Sequence, residues 1–309
     1  MSKRIAFVGG CNIDITATAY SPLIFQDSNP GKLTVSFGGV GRNVAENMAR
    51  LGYETSMIAP LGDDNFRQQL EEHSRAVGLD MSRCLIVEGT VTSSYLCLNH
   101  PNGDIALAVS AMDICDRLTP AFLEQHISFL NSCDAVMMDA NIPQETIQYL
   151  SERITTKLCA DGVSEKKAGK LRDVLRSLYF IKANRSEMEA ITGIPLTDVY
   201  TIRKAASALM SIGVKNVSIT LSDDGAFLAN AEGSAMLPPM HATTVNSTGC
   251  GDAFFAGALH GLLEGHNSVQ ALKEGLAMAS LCAKAESAVS PDASLSALRE
   301  TLNQYQGGF

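Results

Sequence analysis

The chain has 309 residues, enough for one large α/β domain with an insertion or for two domains, and 46% of them are hydrophobic. Its net charge of −9 argues against a nucleic-acid-binding surface, but a local anion hole can still hold a small anionic substrate. No apolar run reaches the ~18 residues of a membrane span, and the start, MSKRIAFVGG, has too short an apolar stretch for a signal peptide.

Ile5–Gly10 is a short apolar run ended by two glycines, the form of a buried central strand. Ile13–Tyr20 alternates apolar with polar residues, as a half-exposed strand does, and Leu33–Phe37 alternates similarly. Between them lies the turn-rich loop Asp27-Ser28-Asn29-Pro30-Gly31-Lys32. After Gly38-Gly39-Val40-Gly41-Arg42-Asn43, residues Val40, Val44, Met48 and Leu51 fall at helical spacing, and Gly52 stands where a helix C-terminal cap belongs. A strand is predicted over Met57–Leu61 and a helix over Asn65–Val77. A second β-rich block follows at Cys84–Glu88, Thr92–Asn99 and Asp104–Ser110, with a turn at Pro101-Asn102-Gly103.

Beyond Met112 strands alternate with helices. The strands are Ala135–Asp139, Lys157–Asp161, Leu178–Lys182 and Asn216–Leu221, an alternation that predicts a parallel sheet with helices on both faces. Ala226–Ala229 with Ala235–Leu237 reads as a hairpin. Helices are expected over Cys250–Leu263 and Ser268–Ala285, and no element is read beyond Pro291. The two β-rich pieces, about 13–37 and 84–110 within the usual boundary error, interrupt the α/β pattern. Neither could readily stand alone, so together they are expected to form a small sheet beside the main domain.

The eight cysteines, at 11, 84, 97, 115, 133, 159, 250 and 282, form no C-x-x-C pair. That suits free thiols in a reducing cytoplasm better than a disulfide frame or a zinc site.

The segment richest in chemistry is Thr244-Val245-Asn246-Ser247-Thr248-Gly249-Cys250-Gly251-Asp252, followed by a small-residue apolar run. A helix start offers free N–H groups and partial positive charge to an anion, and glycines let the backbone approach a ligand closely. A carboxylate is costly beside a phosphate unless it takes a proton from an attacking hydroxyl. A plain Gly-rich turn with an N-terminal helix aspartate is the simpler alternative.

Asn184-Arg185-Ser186-Glu187 puts an amide and a carboxylate on one face at a helix start. Glu187 suits a water-mediated Mg²⁺, or equally a capping box with Asn184. Thr220-Leu221-Ser222-Asp223-Asp224-Gly225 ends a strand in a turn that could pass over nucleotide phosphates or be an ordinary hairpin. Asn12 and Asp14 follow the first strand, where polar groups face a ligand crevice. That pair suits sugar hydroxyls, unless Asp14 is merely the solvent side of its strand.

The glycine-rich turn at 38–43, Asn184-x-x-Glu187 and Asn246–Asp252, in this order and spacing, resemble the PfkB/ribokinase family of sugar and nucleoside kinases. The resemblance covers essentially the whole chain. It implies one kinase domain over 1–309, with a ribokinase-like doubly wound, mostly parallel sheet and a lid made by the two β-rich insertions. It implies Asp252 as catalytic base and Gly249, Cys250 and Gly251 as anion hole. It implies Asn184 and Glu187 at the Mg²⁺–phosphate motif, Thr220, Ser222 and Gly225 at the nucleotide turn, and Asn12, Asp14, Gly39 and Asn43 at the ribose.

Many family members also hold a monovalent cation, K⁺, for which Asn246 and Thr248 with the backbone near Glu286–Ser290 are the candidates. Here, however, the family's usual Asp-Thr is Asn246-Ser247, which removes a carboxylate from that site. The usual middle alanine is Cys250, a thiol at a helix N-terminus, either the most oxidation-sensitive of the eight or an inert buried one.

Within the family, Ser28–Lys32, Gly38–Asn43, Thr92–Leu96 and Asp161-x-Val163-Ser164 look most like members that act on pseudouridine. The expected activity is ATP- and Mg²⁺-dependent phosphorylation of a ribonucleoside 5′-hydroxyl. Base selectivity is assigned to Ser28, Asn29, Thr92 and Ser94, and exposed lid edges suggest a homodimer. The alternatives are a kinase of ribose, a ketose or a purine nucleoside, and a ligand-binding protein that has lost catalysis.

Overall fold

The computed structural model describes residues 2–240 and 243–304. Strand β1 (Arg4–Val8) is buried from Ile5 onward, as its unbroken apolar run requires. It is followed by β2 (Asn12–Ala19), β3 (Gly31–Gly38), helix α1 (Val40–Arg50), β4 (Glu54–Ile58), β5 (Pro60–Gly62), α2 (Asn65–Ala76) and β6 (Leu79–Asp80). Then come β7 (Leu85–Val87), β8 (Ser94–Asn99), β9 (Ile105–Ala111) and the short helices α3 (Pro120–Glu124) and α4 (Ile127–Asn131). The α/β alternation runs through β10 (Ala135–Asp139), α5 (Gln144–Arg153), β11 (Lys157–Asp161), α6 (Glu165–Ala168), β12 (Leu178–Asn184), α7 (Arg185–Thr192), α8 (Val199–Ile212) and β13 (Asn216–Thr220). A hairpin, β14 (Ala226–Asn230) and β15 (Gly233–Leu237), precedes α9 (Cys250–Leu263), α10 (Ser268–Ala283) and α11 (Leu295–Gln304).

The main sheet has nine strands in the order β15-β14-β13-β12-β11-β10-β1-β4-β6. It is parallel from β6 to β13 and antiparallel through β14 and β15. Two apolar clusters cover its faces, one built on α1, α9 and α10, the other on α5, α7 and α8. From β1 the chain winds outward through β4 and β6, then returns to build β10 to β13 on the other side. The reversal places a topological switch point between the carboxyl ends of β1 and β10, where open α/β sheets bind their ligands.

A second sheet, β3-β2-β8-β9, stands at that end. Its register puts Leu33, Val35, Ile15, Leu96, Leu107 and Val109 on one face and Asp14, Ser36, Tyr95 and Ser110 on the other. Strand β9 is exposed along its whole length.

Three elements differ from the sequence expectation. The run Met57–Leu61 breaks into β4 and β5, which belong to different sheets. The strand expected over Cys84–Glu88 shortens to β7 and pairs in parallel with β5, not with the small sheet. Helix α11 forms after Pro291, its Leu295, Leu298 and Leu302 packing on the core. All eight cysteines are free thiols, and no helix among the described residues is long and apolar enough to cross a membrane.

Candidate active site

The switch point is built on a buried carboxylate. Asp139, at the end of β10 and fully buried, accepts N–H groups from Gly10 (2.8 Å) and Gly41 (2.9 Å). It thereby fastens the turn after β1 to the first turn of α1. Gly39 has φ 97°, and a side chain there would meet the Gly10 carbonyl at 2.5 Å, so only glycine lets the two turns close. Asn12 donates to Asp14 at 2.5 Å, and both stand at the crevice edge of β2. Burial pushes the Asp14 carboxyl up to about 6, although Arg42 and Asn12 pull it down.

Asp252 lies in the first turn of α9, 8% exposed, and its Oδ2 accepts from the Asn43 amide at 2.8 Å. Burial first, then the Asp161 carboxylate, push it up to about 7 against the downward pull of Lys182 and Asn43. Asn43 is held in turn by Arg42, which also donates to the Phe37 and Gly38 carbonyls at the end of β3. One chain of hydrogen bonds thus runs from the small sheet to the carboxylate.

Gly249 caps α9 at φ 82°. The first bond within the helix is Ala253 N–H to the Gly249 carbonyl at 2.9 Å, so helix geometry leaves the N–H groups of Gly251 and Asp252 without an internal acceptor. Cys250, expected to contribute its N–H as well, turns it back to the Ser247 carbonyl at 3.3 Å.

Beside that turn lies a group the sequence reading missed. Lys182 is 5% exposed, its ammonium 3.0 Å from Asp161 Oδ2 and 3.1 Å from where a side-chain carbon on Gly251 would sit. Burial alone would lower its pKa, but the Asp161, Glu187 and Asp252 carboxylates outweigh it and raise it. The ammonium therefore stays charged against the first turn of α9. Its strand spacing was the available signal: Lys182 is two residues before Asn184, hence on the same side of β12.

Asn184 caps α7 and forms with Glu187 the reciprocal capping box. Glu187 accepts the Asn184 backbone and side-chain N–H groups, each at 2.8 Å. Those bonds leave lone pairs on the Glu187 carboxylate for a hydrated cation, so the cap and the metal reading are compatible. Thr220 pairs in register with Asn184. Ser222 and Gly225 both have positive φ, 53° and 84°, which shapes the turn after β13. Val163, a β-branched residue at φ 64°, is held there by its N–H bond to Asp161 at 2.7 Å, a strain typical of functional turns.

The expected base-reading residues do not converge on this crevice. The Asn29 amide closes its own loop through Ile24 and Asp27, and Ser28 is exposed. Thr92 is buried and tied to Asp64 and to the Gly62 N–H. Ser94 pairs with Ile13, on the sheet face opposite Asp14. The face that carries Asp14 presents Ser36, Tyr95 and Ser110 instead. At the far side Asn141 leans over Gly10 and receives Lys167 at 2.6 Å.

Asn246 and Thr248 lie together, as expected of neighbours in a cation site, but the Asn246 side chain already has partners. Its Nδ2 donates to the Glu286 carbonyl and its Oδ1 accepts the Thr248 N–H, both at 2.9 Å. The Asn246 side chain thus offers this spot a nitrogen and an already engaged oxygen, with no carboxylate for a monovalent cation.

The sequence model of the pfkB family carbohydrate kinases matches residues 2–294. The chain belongs to this family. Family members are phosphotransferases acting on hydroxyl groups, and this chain is a sugar or nucleoside kinase of that kind. It is 31% identical to the pseudouridine kinase of Escherichia coli over 94% of each chain. Its fold matches a carbohydrate kinase from Agrobacterium tumefaciens with a TM-score of 0.87, at 28% identity and 97% coverage of each chain. An Arabidopsis thaliana ribokinase solved with ribose and ATP shares the fold, with a TM-score of 0.86, at 20% identity over 98% of this chain and 99% of that one. The nine-stranded sheet with its small separate sheet is therefore the ribokinase fold.

Proposed function

We propose that this kinase transfers the γ-phosphoryl group of ATP to the 5′-hydroxyl of a ribonucleoside, with pseudouridine as its substrate. The carrying observation is Asp252: a buried carboxylate in the first turn of a helix, hydrogen-bonded to Asn43 on the sugar side and flanked by a buried ammonium. The likeness to the Escherichia coli enzyme supports the choice of nucleoside.

Asn12, Asp14, Gly39 and Asn43 hold the ribose. Asn184, Thr220, Ser222 and Gly225 face the nucleotide. The 5′-oxygen attacks the γ-phosphorus in line as the bond to the β-phosphate oxygen breaks. Asp252 takes the hydroxyl proton, and ADP leaves. Developing charge meets the Gly251 and Asp252 N–H groups and the Lys182 ammonium, donors fixed before reaction begins. Mg²⁺ bound with ATP, oriented by Glu187 through water, would neutralise phosphate charge.

The small sheet acts as a lid that excludes water, limiting ATP hydrolysis. Ser36, Tyr95 and Ser110 on its inner face read the base in place of Ser28, Asn29, Thr92 and Ser94. Its outer face carries exposed Leu33, Val35, Leu96, Leu107 and Val109. A second copy covers it, because those apolar side chains meet their own equivalents without like-charge repulsion. The free thiols fit a cytoplasmic enzyme.

The test is a panel of pseudouridine, uridine, inosine, ribose and fructose with Mg·ATP, with the product position read by phosphorus NMR. Pseudouridine should give the highest kcat/KM; faster turnover of ribose or uridine would overturn the substrate. Sedimentation should find a dimer that Leu107→Lys splits.

A further inference from the structure

The turn that supplies the anion hole is joined to the segment 286–290 by neutral donors. The Asn246 amide nitrogen donates to the Glu286 carbonyl. The Cys282 thiol lies 3.2 Å from the Ala288 carbonyl and 3.5 Å from that of Thr248, and within the segment itself Ser287 Oγ donates to the Val289 carbonyl at 2.7 Å. The orientation of the Asn246 amide is fixed by its partners: a backbone N–H needs its oxygen, and a carbonyl needs its nitrogen.

These contacts bear directly on the site. The Ala288 carbonyl packs against Gly249, 2.0 Å from where a side-chain carbon would begin. A shift of the 286–290 segment therefore displaces the cap of α9. A cation bridging Asn246 and Glu286 would need a lone pair from each, but Asn246 turns its hydrogen-bearing nitrogen to the Glu286 carbonyl at 2.9 Å and spends its oxygen on the Thr248 N–H.

We propose that the Asn246 amide takes the place of a monovalent cation in this enzyme, so that the anion hole is organised without K⁺. An aspartate at 246 would set a carboxylate oxygen against the Glu286 carbonyl, two acceptors with no proton between them. A cation would then be needed to hold the turn. Asn246 is thus a positioning residue, acting through Gly249 rather than on substrate.

The inference rests on the kinase reading, and the experiment separates the two. Turnover of the wild type is compared in KCl and in tetramethylammonium chloride at equal ionic strength, alongside Asn246→Asp. Melting temperature is recorded in both salts as a readout independent of activity. The wild type should differ less than 2-fold between salts with an unchanged melting temperature. Asn246→Asp should lose at least 10-fold in turnover without K⁺, recover it with K⁺, and melt higher in KCl. A wild type activated 10-fold by K⁺, or one whose melting temperature rises with K⁺, overturns the proposal. So does an Asn246→Asp protein indifferent to K⁺ in both readouts. If that variant does not fold, the wild-type comparison decides alone, and if no substrate is turned over, the melting temperatures still do.

Discussion

Asp252 gains its character from its neighbours: burial and Asp161 push it up to about 7, Lys182 and Asn43 restrain it. As a general base it must be ionised, so kcat/KM should rise with pH through about 7 and level off above. Asp252→Asn should lower kcat by roughly 10²–10⁴-fold, the usual worth of a positioned base, while ligand binding persists; full activity in that variant would remove Asp252 from the mechanism. Lys182→Met should move the acid limb of the same profile to higher pH, because a charge that lowers the Asp252 pKa is gone. A limb that stays put would mean that the ammonium does not reach the carboxylate. Cys250 offers a third measurement. It is half-buried at the N-terminus of α9, where free N–H groups favour thiolate, whereas burial raises the thiol pKa values of Cys84 and Cys159. A thiol-alkylating reagent should label Cys250 first and abolish turnover, and Cys250→Ala should remain active and resist it. Labelling of Cys250 with activity intact would discard the idea.

The small sheet shows where sequence reasoning at the level of elements stops. Period-two alternation located β2, β3, β8 and β9 to within a few residues, because one face of each is apolar. It could not say which residues share a face with Asp14: Ser94 and Tyr95 are neighbours in sequence but lie on opposite faces, and only the pairing of Asp14 with Tyr95 assigns them. Thr92 misled for a related reason. A polar residue before a strand reads as a binding group, but here it braces Asp64, the cap of α2. Thr92→Val should therefore cost stability, about 1–2 kcal/mol for a lost cap partner and an unpaired Gly62 N–H, measured by urea denaturation. It should leave the preference among nucleosides unchanged; altered base selectivity would return Thr92 to the substrate site. The glycine turns and the capping box were legible because they rest on local rules of backbone conformation. Lys182 was not, since its role depends on carboxylates from β11 and α9, remote in the chain.

On the scale of the whole molecule, the crevice is assembled at the one place where the direction of winding reverses, so its parts come from β1, β2, α1, β10, β11, β12 and α9. Such a site asks the fold to hold Asp139, Asp161, Glu187 and Asp252 close together, with Lys182 the one buried lysine among the described residues to offset them. Stored repulsion of this kind has a thermodynamic signature. Asp252 and Asp14 have folded pKa values of about 7 and about 6, above the unfolded value of ~3.9. Their stabilising contribution is complete below that value and is lost as pH rises through the folded pKa. Glu46, held down at about 2 by His73 and two arginines despite its burial, acts oppositely: its contribution is present above ~4.3 and fails as pH falls. The ligand-free protein should therefore melt at a higher temperature near pH 5.5 than at pH 8, and Asp252→Asn should narrow that difference. A melting temperature that climbs steadily to pH 8 would contradict it. The buried carboxylate proposed as the base thus separates two optima: the molecule is most durable at a pH where that carboxylate holds its proton, and turnover is expected to be fastest where it has lost it.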